Sequence, residues 1–259
     1  MGKVKEAIKA LDETEKTYDA YYIPRAKFDL YTMAGMWDEA RKVLADWEKS
    51  GEDMKVYYDR MVGFYLMQED IPTAKAFLKK YKRRMDPDQA DQREYEFYMY
   101  EGNTKKMILY WTKRYKADKS DRSNTALKLA LFYGRLRNTA KAKKYAEEAL
   151  DMLREELSHG KTSEALWTSR MALALYLTGE KDEAYAMCRK VETLPLCEHC
   201  CERGCKDALI YEMDMAELDG DLDRAIKIAE DSLAVYPHET DFLLNLHRLK
   251  MKAAEQKSI

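Results

Sequence analysis

Apolar residues recur along this chain at the spacing of amphipathic helices, in stripes that are interrupted at regular intervals. At each interruption a small residue stands five positions before an Ala that opens the next apolar stripe. Three copies are clear: Gly35 to Ala40, Gly179 to Ala184, and Gly220 to Ala225. Three are degenerate: Glu69 to Ala74, Gly102 to Met107, and Arg137 to Ala142. We call the first residue of each copy a corner residue; successive corner residues lie 34, 33, 35, 42 and 41 positions apart.

A second marker keeps the same period. Tyrosines stand four positions before the first four corner residues, at Tyr31, Tyr65, Tyr98 and Tyr133. The pattern has a direct physical interpretation. A small residue ends one helix in a left-handed turn, and acidic residues open the next helix near its positive end. Ala follows where two helices cross closely. The sequence therefore predicts helix pairs, with the tyrosine packed against the neighbouring helix.

Composition supports helices and excludes other classes. The 259 residues include only 10 Gly and 5 Pro, about half of what average composition gives, which is too few turn residues for a hairpin-rich sandwich or barrel. The net charge of −2 provides no global field for nucleic acid. No signal sequence or long apolar stretch is visible, and four of the five cysteines are clustered. We expect a cytoplasmic protein without membrane or direct nucleic-acid contact.

The 34-residue period, the Gly-x4-Ala corner, the preceding aromatic residue and Pro237 at a repeat end resemble tetratricopeptide repeats. This resemblance implies an all-α fold, a right-handed superhelix of antiparallel helix pairs that forms a single domain over residues 1–259. Its predicted parts are an N-terminal half-repeat or cap (1–22), repeats 1–5 (23–192), a cysteine-rich insert (193–205), repeat 6 (206–237) and a C-terminal capping helix (238–259).

The period breaks at three places. From Arg137 to Gly179 the apolar stripe simply continues, which predicts a longer helix pair turning near 159–160. From Gly179 to Gly220 the excess falls in the cysteine segment. At the start, Gly2 to Ala7 also fits the corner spacing, which predicts that the chain opens with the second helix of a repeat. Either this is a capping helix, or the chain is a fragment of a longer protein.

The cysteine segment is the strongest candidate for a bound ion. Cys197, Cys200, Cys201 and Cys205 lie within nine residues, and a Cys-x2-Cys turn lets two thiolates hold one zinc ion. A strong zinc signature has two separated pairs, and here the fourth ligand is not evident. Structural zinc, redox-active thiols and ordinary loop cysteines all stay open.

The resemblance implies a binding groove lined by the first helix of each pair. The implied groove residues are Arg25, Asp29, Asp59, Met67, Gln92, Glu96, Met99, Tyr100, Asn124, Leu131 and Arg135. The family's chaperone-binding branch grips a terminal carboxylate with Lys and Asn at such positions. Here those positions hold Arg25 with Asp29, Asp59 with Gly63, and Gln92 with Glu96, so that clamp is not expected.

No catalytic triad, metalloprotease motif or phosphate-binding loop is visible. The leading hypothesis is a non-enzymatic scaffold that holds a protein or peptide ligand in the groove. The alternative is the sensory domain of a bacterial transcription regulator whose N-terminal DNA-binding domain is absent, with a metal- or redox-responsive cysteine cluster. The exposed end faces of a solenoid leave homodimerisation open.

Overall fold

A computed structural model describes residues 2–17, 22–117, 120–158, 164–191, 193–194 and 206–257. These residues form helices and turns, with no strand among them. The described chain divides into two compact units. Unit 1 comprises residues 1–97 with 237–240, and unit 2 comprises residues 98–236 with 241–259. The boundary between the units falls inside a helix, and the single solenoid domain stays a prediction from the sequence.

Unit 1 contains five helices, a short 3-10 helix and most of a sixth helix. They are α1 (Gly2–Thr17), α2 (Ile23–Met33), α3 (Trp37–Ser50), α4 (Met54–Met67), α5 (Ile71–Tyr81), the 3-10 helix Lys82–Arg84, and α6 (Pro87–Tyr100). From α1 to α5 each helix packs on the next in sequence. Pro72 lies in the first turn of α5, where a missing N–H costs nothing.

Unit 2 contains the end of α6 and eight more helices. They are α7 (Thr104–Ala117), α8 (Arg122–Arg135), α9 (Thr139–Ser158), α10 (Glu164–Thr178), α11 (Lys181–Val191), α12 (Lys206–Asp219), α13 (Leu222–Val235) and α14 (Thr240–Lys257). Successive helices from α7 to α13 pack on one another, and α8, α10 and α12 also contact each other. The all-α prediction is confirmed, with the sequential helix packing that a solenoid-like fold has. The long α9 is confirmed too, while the turn near 159–160 lies outside the described residues.

All six corner residues adopt the left-handed conformation that the sequence pattern predicts. Their φ angles run from 56° at Arg137 to 109° at Gly179. At each corner the corner N–H donates to the carbonyl three residues back, and the next N–H donates to the carbonyl five residues back. This double hydrogen bond is the Schellman motif. In the first four corners the second acceptor is the carbonyl of the marker tyrosine, as in Met36 N to Tyr31 O at 2.8 Å.

The residues five positions after the corners are buried, as close helix crossings require. Ala40, Ala74, Met107, Ala184 and Ala225 are fully buried, and Ala142 nearly so. Two marker tyrosines pack on the second helix of their own pair. The Tyr65 ring centroid lies 6.1 Å from that of Phe77, and the Tyr133 ring stacks on Tyr145 at 5.7 Å. Local sequence therefore builds the same helix pair in both units.

Candidate functional site

The predicted groove residues divide between the two units. Those in unit 1 are Arg25, Asp29, Asp59, Met67, Gln92 and Glu96; those in unit 2 are Met99, Tyr100, Asn124, Leu131 and Arg135. They lie on α2, α4, α6 and α8, the first helices of successive pairs. Their surroundings differ sharply between the units.

In unit 1, Arg93 on α6 joins two of the predicted carboxylates. Its Nε and Nη2 donate to the two oxygens of Asp59 on α4, at 2.8 and 3.1 Å. Its Nη1 donates to Glu96, at 2.9 and 3.1 Å from the two carboxylate oxygens. Burial opposes the charge of Arg93, but Glu96 and Asp59 outweigh it and raise the pKa of the guanidinium. The group stays fully charged.

The same chain of charges continues to the surface through α2. Arg60 Nη1 donates to Asp59 Oδ2 at 3.0 Å, and its Nη2 donates to Asp29 Oδ2 at 3.3 Å. Asp29 in turn lies 3.9 Å from Arg25 Nε. We call these six side chains the charge ladder: Arg25, Asp29, Arg60, Asp59, Arg93 and Glu96. Their signs alternate strictly, so the ladder as a whole is neutral.

Exposure along the ladder is highest on α2 and lowest at Asp59 on α4, while on α6 the side chains of Arg93 and Glu96 are 14% and 10% exposed. The side chain of Arg25 is 54% exposed and that of Asp29 43%, whereas Arg60 is 19% and Asp59 5% exposed. The absence of a side chain at Gly63 on α4 leaves space for the guanidinium of Arg93, because a Cβ there would lie 3.0 Å from Arg93 Nη2. Gln92 is exposed and Met67 half-buried, and neither belongs to the ladder.

In unit 2 most of the predicted groove residues are covered. Met99 and Leu131 are buried, and the Arg135 side chain is 6% exposed. Tyr100 is stacked on His247 of α14, with ring centroids 3.8 Å apart. Asn124 is half-buried and donates from Nδ2 to Asp121 Oδ2 at 2.8 Å. Because their side chains are buried, Met99, Leu131 and Arg135 are not presented to a ligand.

Arg135 belongs to a buried ionic cluster that links α8, α12 and α14. Its Nη2 donates to Asp214, and its Nε lies 3.0 Å from Glu217 Oε2, close enough for an ion pair without the alignment of a hydrogen bond. Arg248 donates both Nη atoms to Glu217, and Lys252 Nζ lies 3.0 Å from Glu217 Oε1. We call Arg135, Asp214, Glu217, Arg248 and Lys252 the Glu217 network.

The pKa values of the two carboxyl groups in this network are shifted in opposite directions from their usual values. Burial raises the pKa of Asp214, and the nearby Arg135 does not fully offset it. Burial acts on Glu217 as well, but Arg135, Arg248 and Lys252 together hold the pKa of that carboxyl well below its usual range. Glu217 is therefore the firmly ionised centre of the network.

Sequence reasoning missed the residues that connect the predicted ones. They are Arg60 and Arg93 in unit 1, and Asp214, Glu217, Arg248 and Lys252 in unit 2. A usable signal exists for part of this set. The sequences of α8 and α12 carry apolar residues around most of their circumference, so several of their charges are expected to be buried and paired, as Asp214 and Glu217 are.

The metal prediction lies outside the described residues. Cys197, Cys200, Cys201 and Cys205 all belong to the stretch that the structure leaves undescribed. Among the described residues, no group of three or more His, Cys, Asp or Glu side chains is arranged to hold a metal ion. In the same part of the chain, no helix is both long and apolar enough to cross a bilayer.

No protein-family model matches the chain, and no curated protein is significantly similar to it.

Proposed function

We propose that this protein is a non-enzymatic scaffold of the tetratricopeptide-repeat type that binds a peptide or protein segment along α2, α4 and α6 of unit 1. The observation that carries this proposal is the charge ladder. Three consecutive first helices contribute to it, and it ends on the exposed side chains of Arg25 and Asp29. The six regular corners support the repeat type.

The ladder is a costly way to hold helices together. A buried ion pair seldom stabilises a fold more than well-packed apolar residues of similar volume, because both charges must lose their hydration. Its inner pairs instead fix the orientation of the outer charges. A ligand carboxylate would meet Arg25, and a ligand ammonium or guanidinium group would meet Asp29. The ligand is therefore a polar segment that carries both signs of charge.

The test uses the full-length protein with its outer charges reversed. Proteins captured from native extract are first identified, and the one captured most strongly is purified for titration. Reversal at both outer positions, Arg25→Glu with Asp29→Arg, is expected to weaken its binding at least about tenfold, which corresponds to ~1.4 kcal/mol. The proposal fails if the affinity is unchanged.

Asp46→Lys with Lys49→Glu is the matched control, because it too reverses both charges of an ion pair and leaves the net charge unchanged. These two side chains on α3 are 75% and 77% exposed and pair with each other outside the ladder. The same charge reversal there is expected to leave the affinity unchanged. Equal losses in both variants would indicate a general charge effect rather than recognition by the ladder.

Structural zinc at Cys197–Cys205 stays a proposal that is separate from the ladder. Metal analysis of protein purified without chelator tests it. A stoichiometric zinc content that falls on Cys197→Ser with Cys200→Ser would support a structural site. Freely titrating thiols with no bound metal would refute it.

A further inference from the structure

Helix α14 lies against Tyr100 and beside Arg135, two of the five predicted groove residues in unit 2. His247 stacks on Tyr100, and an added Cβ at Gly102 would lie 3.5 Å from Arg248 Cγ. Arg248 also shares Glu217 with Arg135, one of the predicted groove residues. A segment of the chain itself therefore lies where the resemblance implies a ligand.

The covering helix has a distinctive chemistry. Phe242, Leu244 and Leu249 are buried apolar residues on α14. Arg248 and Lys252, four residues apart, bring two cations to Glu217, while Asn245 accepts from Arg248 at 2.9 Å. The neighbouring Lys250 is exposed and pairs with Glu230. The buried side of α14 is thus that of a basic amphipathic helix.

We infer that Tyr100, Arg135, Asp214 and Glu217 form a helix-docking surface, that α14 occupies it within the chain, and that a partner protein docks there by presenting a basic amphipathic helix in exchange. This deepens the scaffold role proposed above and places a second contact surface in unit 2. The recognition element is the ionised Glu217, which selects an Arg followed four residues later by a Lys.

Replacement of α14 by a helix with the same residue pattern explains how the docking surface can open at low energetic cost. An incoming helix of the same pattern restores the apolar burial and the Glu217 pairs that α14 gives up, so no buried charge is left unpaired. The tether gives α14 an effective concentration in the millimolar range. A free helix therefore binds the wild-type chain weakly, and it gains access when the hold of α14 is loosened.

The test adds a fluorescent peptide of residues 241–257 to the full-length protein and measures anisotropy. Arg248→Ala in the chain removes the bidentate pair with Glu217 and is expected to tighten peptide binding at least about tenfold over wild type, because the tethered competitor is weakened. Lys250→Ala is the control, since Lys250 contacts Glu230 and not Glu217; it is expected to leave binding at the wild-type level.

Two further arms make the result specific. A peptide that itself carries Arg248→Ala should not bind the Arg248→Ala chain, and hydrogen exchange should accelerate in α14 of that chain while α12 stays protected. The inference is overturned if the wild-type peptide binds no better to this chain, or if α12 and α14 exchange together. Should Arg248→Ala fail to fold, Lys252→Ala takes its place, since that side chain is 40% exposed and its loss is milder.

The outcome is independent of the charge ladder. Reversal of Arg25 and Asp29 tests the scaffold role without touching Glu217. A lost peptide effect with an intact ladder effect would reject only this inference, and the opposite result would reject only the ladder.

Discussion

The two units use ionic side chains on their first helices in different ways. In unit 1 the charge ladder runs from a 10% exposed Glu96, through a 5% exposed Asp59, to a 54% exposed Arg25, so water reaches one end. In unit 2 three cations converge on Glu217, whose side chain is 2% exposed. One arrangement ends in charges that a ligand can contact, and the other is closed by a helix of the same chain.

This difference shows that helix position alone does not make a binding residue. The same corner geometry recurs in both units, yet the predicted residue Asp29 is half exposed and the predicted residue Arg135 is buried. What separates them is the number of neighbouring helices. Arg135 lies on α8, which packs on α7, α9, α10 and α12, whereas Asp29 lies on α2, which packs on α1 and α3 and meets α4 through the Asp29–Arg60 pair.

The largest expected effect comes from removing the centre of the closed network. Glu217→Ala leaves Arg135 and Arg248 buried without their main counter-charge, and we expect the free energy of unfolding to fall by about 3–5 kcal/mol. Urea unfolding followed by circular dichroism measures it. The matched change in unit 1, Asp29→Ala, removes a half-exposed charge and should cost less than about 1 kcal/mol. Similar losses would break the contrast between the units.

Gly63 on α4 and Gly134 on α8 each lie in the first helix of a pair, and their substitution tests how tightly that helix is packed in each unit. Gly63→Ala in unit 1 places a Cβ 3.0 Å from Arg93 Nη2, and the contact should cost towards the upper end of about 1–3 kcal/mol because Asp59 and Glu96 hold that group. A gain of roughly 1 kcal/mol in helix propensity offsets part of this cost, so the unfolding free energy should fall by about 1–2 kcal/mol. Gly134→Ala in unit 2 meets only the methyl ends of Leu177 and Leu218, at 3.3 Å. The roughly 1 kcal/mol gain in helix propensity should offset that contact. A neutral Gly63→Ala would mean that Arg93 is not rigidly held.

Substitutions at the corner residues should change the unfolding free energy similarly in both units, because the corner conformation depends on adjacent residues only. Glu69 in unit 1 and Arg137 in unit 2 have left-handed φ angles of 58° and 56°, which strain the backbone of any residue but glycine. Glu69→Gly and Arg137→Gly remove that strain and should each raise the unfolding free energy by about 1 kcal/mol. Gly179→Ala is the reverse control and should lower the unfolding free energy. An added Cβ there meets no atom within 4 Å, so the substitution adds only backbone strain at a φ of 109°. Thermal unfolding compares the three. A stabilisation confined to one unit would show that the corners are not equivalent.

The smallest effect is expected at Asp214. Its pKa is raised in the folded state, so its contribution to stability is fully present below the unfolded pKa and is lost as pH rises through the folded pKa. Asp214→Asn keeps an acceptor for Arg135 and should change stability at pH 7 by less than about 1 kcal/mol. Urea titrations from pH 4 to 7 should show the variant gaining on wild type as pH rises. A loss that grows with pH would mean that ionised Asp214 stabilises the network.

The repeat architecture was accessible from sequence because its causes are short-range. A left-handed corner, its two hydrogen bonds and the buried Ala span ten residues, so small residues and tyrosines in phase predicted all six corners. Even the degenerate corners Glu69 and Arg137 follow the pattern. Of the predicted groove residues, the structure links Arg25, Asp29, Asp59 and Glu96 in one ionic cluster, which the sequence did not predict.

The connecting residues could not be predicted in the same way. Arg93 meets Asp59 across 34 positions, and Arg135 meets Asp214 across 79. Nothing in the neighbourhood of Arg93 distinguishes it from the adjacent Gln92, which is exposed. Whether a charge is solvated or paired depends on the helices that pack around it.

By itself, the sequence determined the all-α class, the helix pairs and the place of every corner, since backbone conformation at a helix end depends on a few adjacent residues. The tertiary structure alone decided which charges are buried, which partners they meet and which predicted groove residues stay exposed. The reason is physical: burial and ion pairing depend on the approach of helices far apart in the chain, and desolvation then sets the protonation of groups such as Asp214 and Glu217.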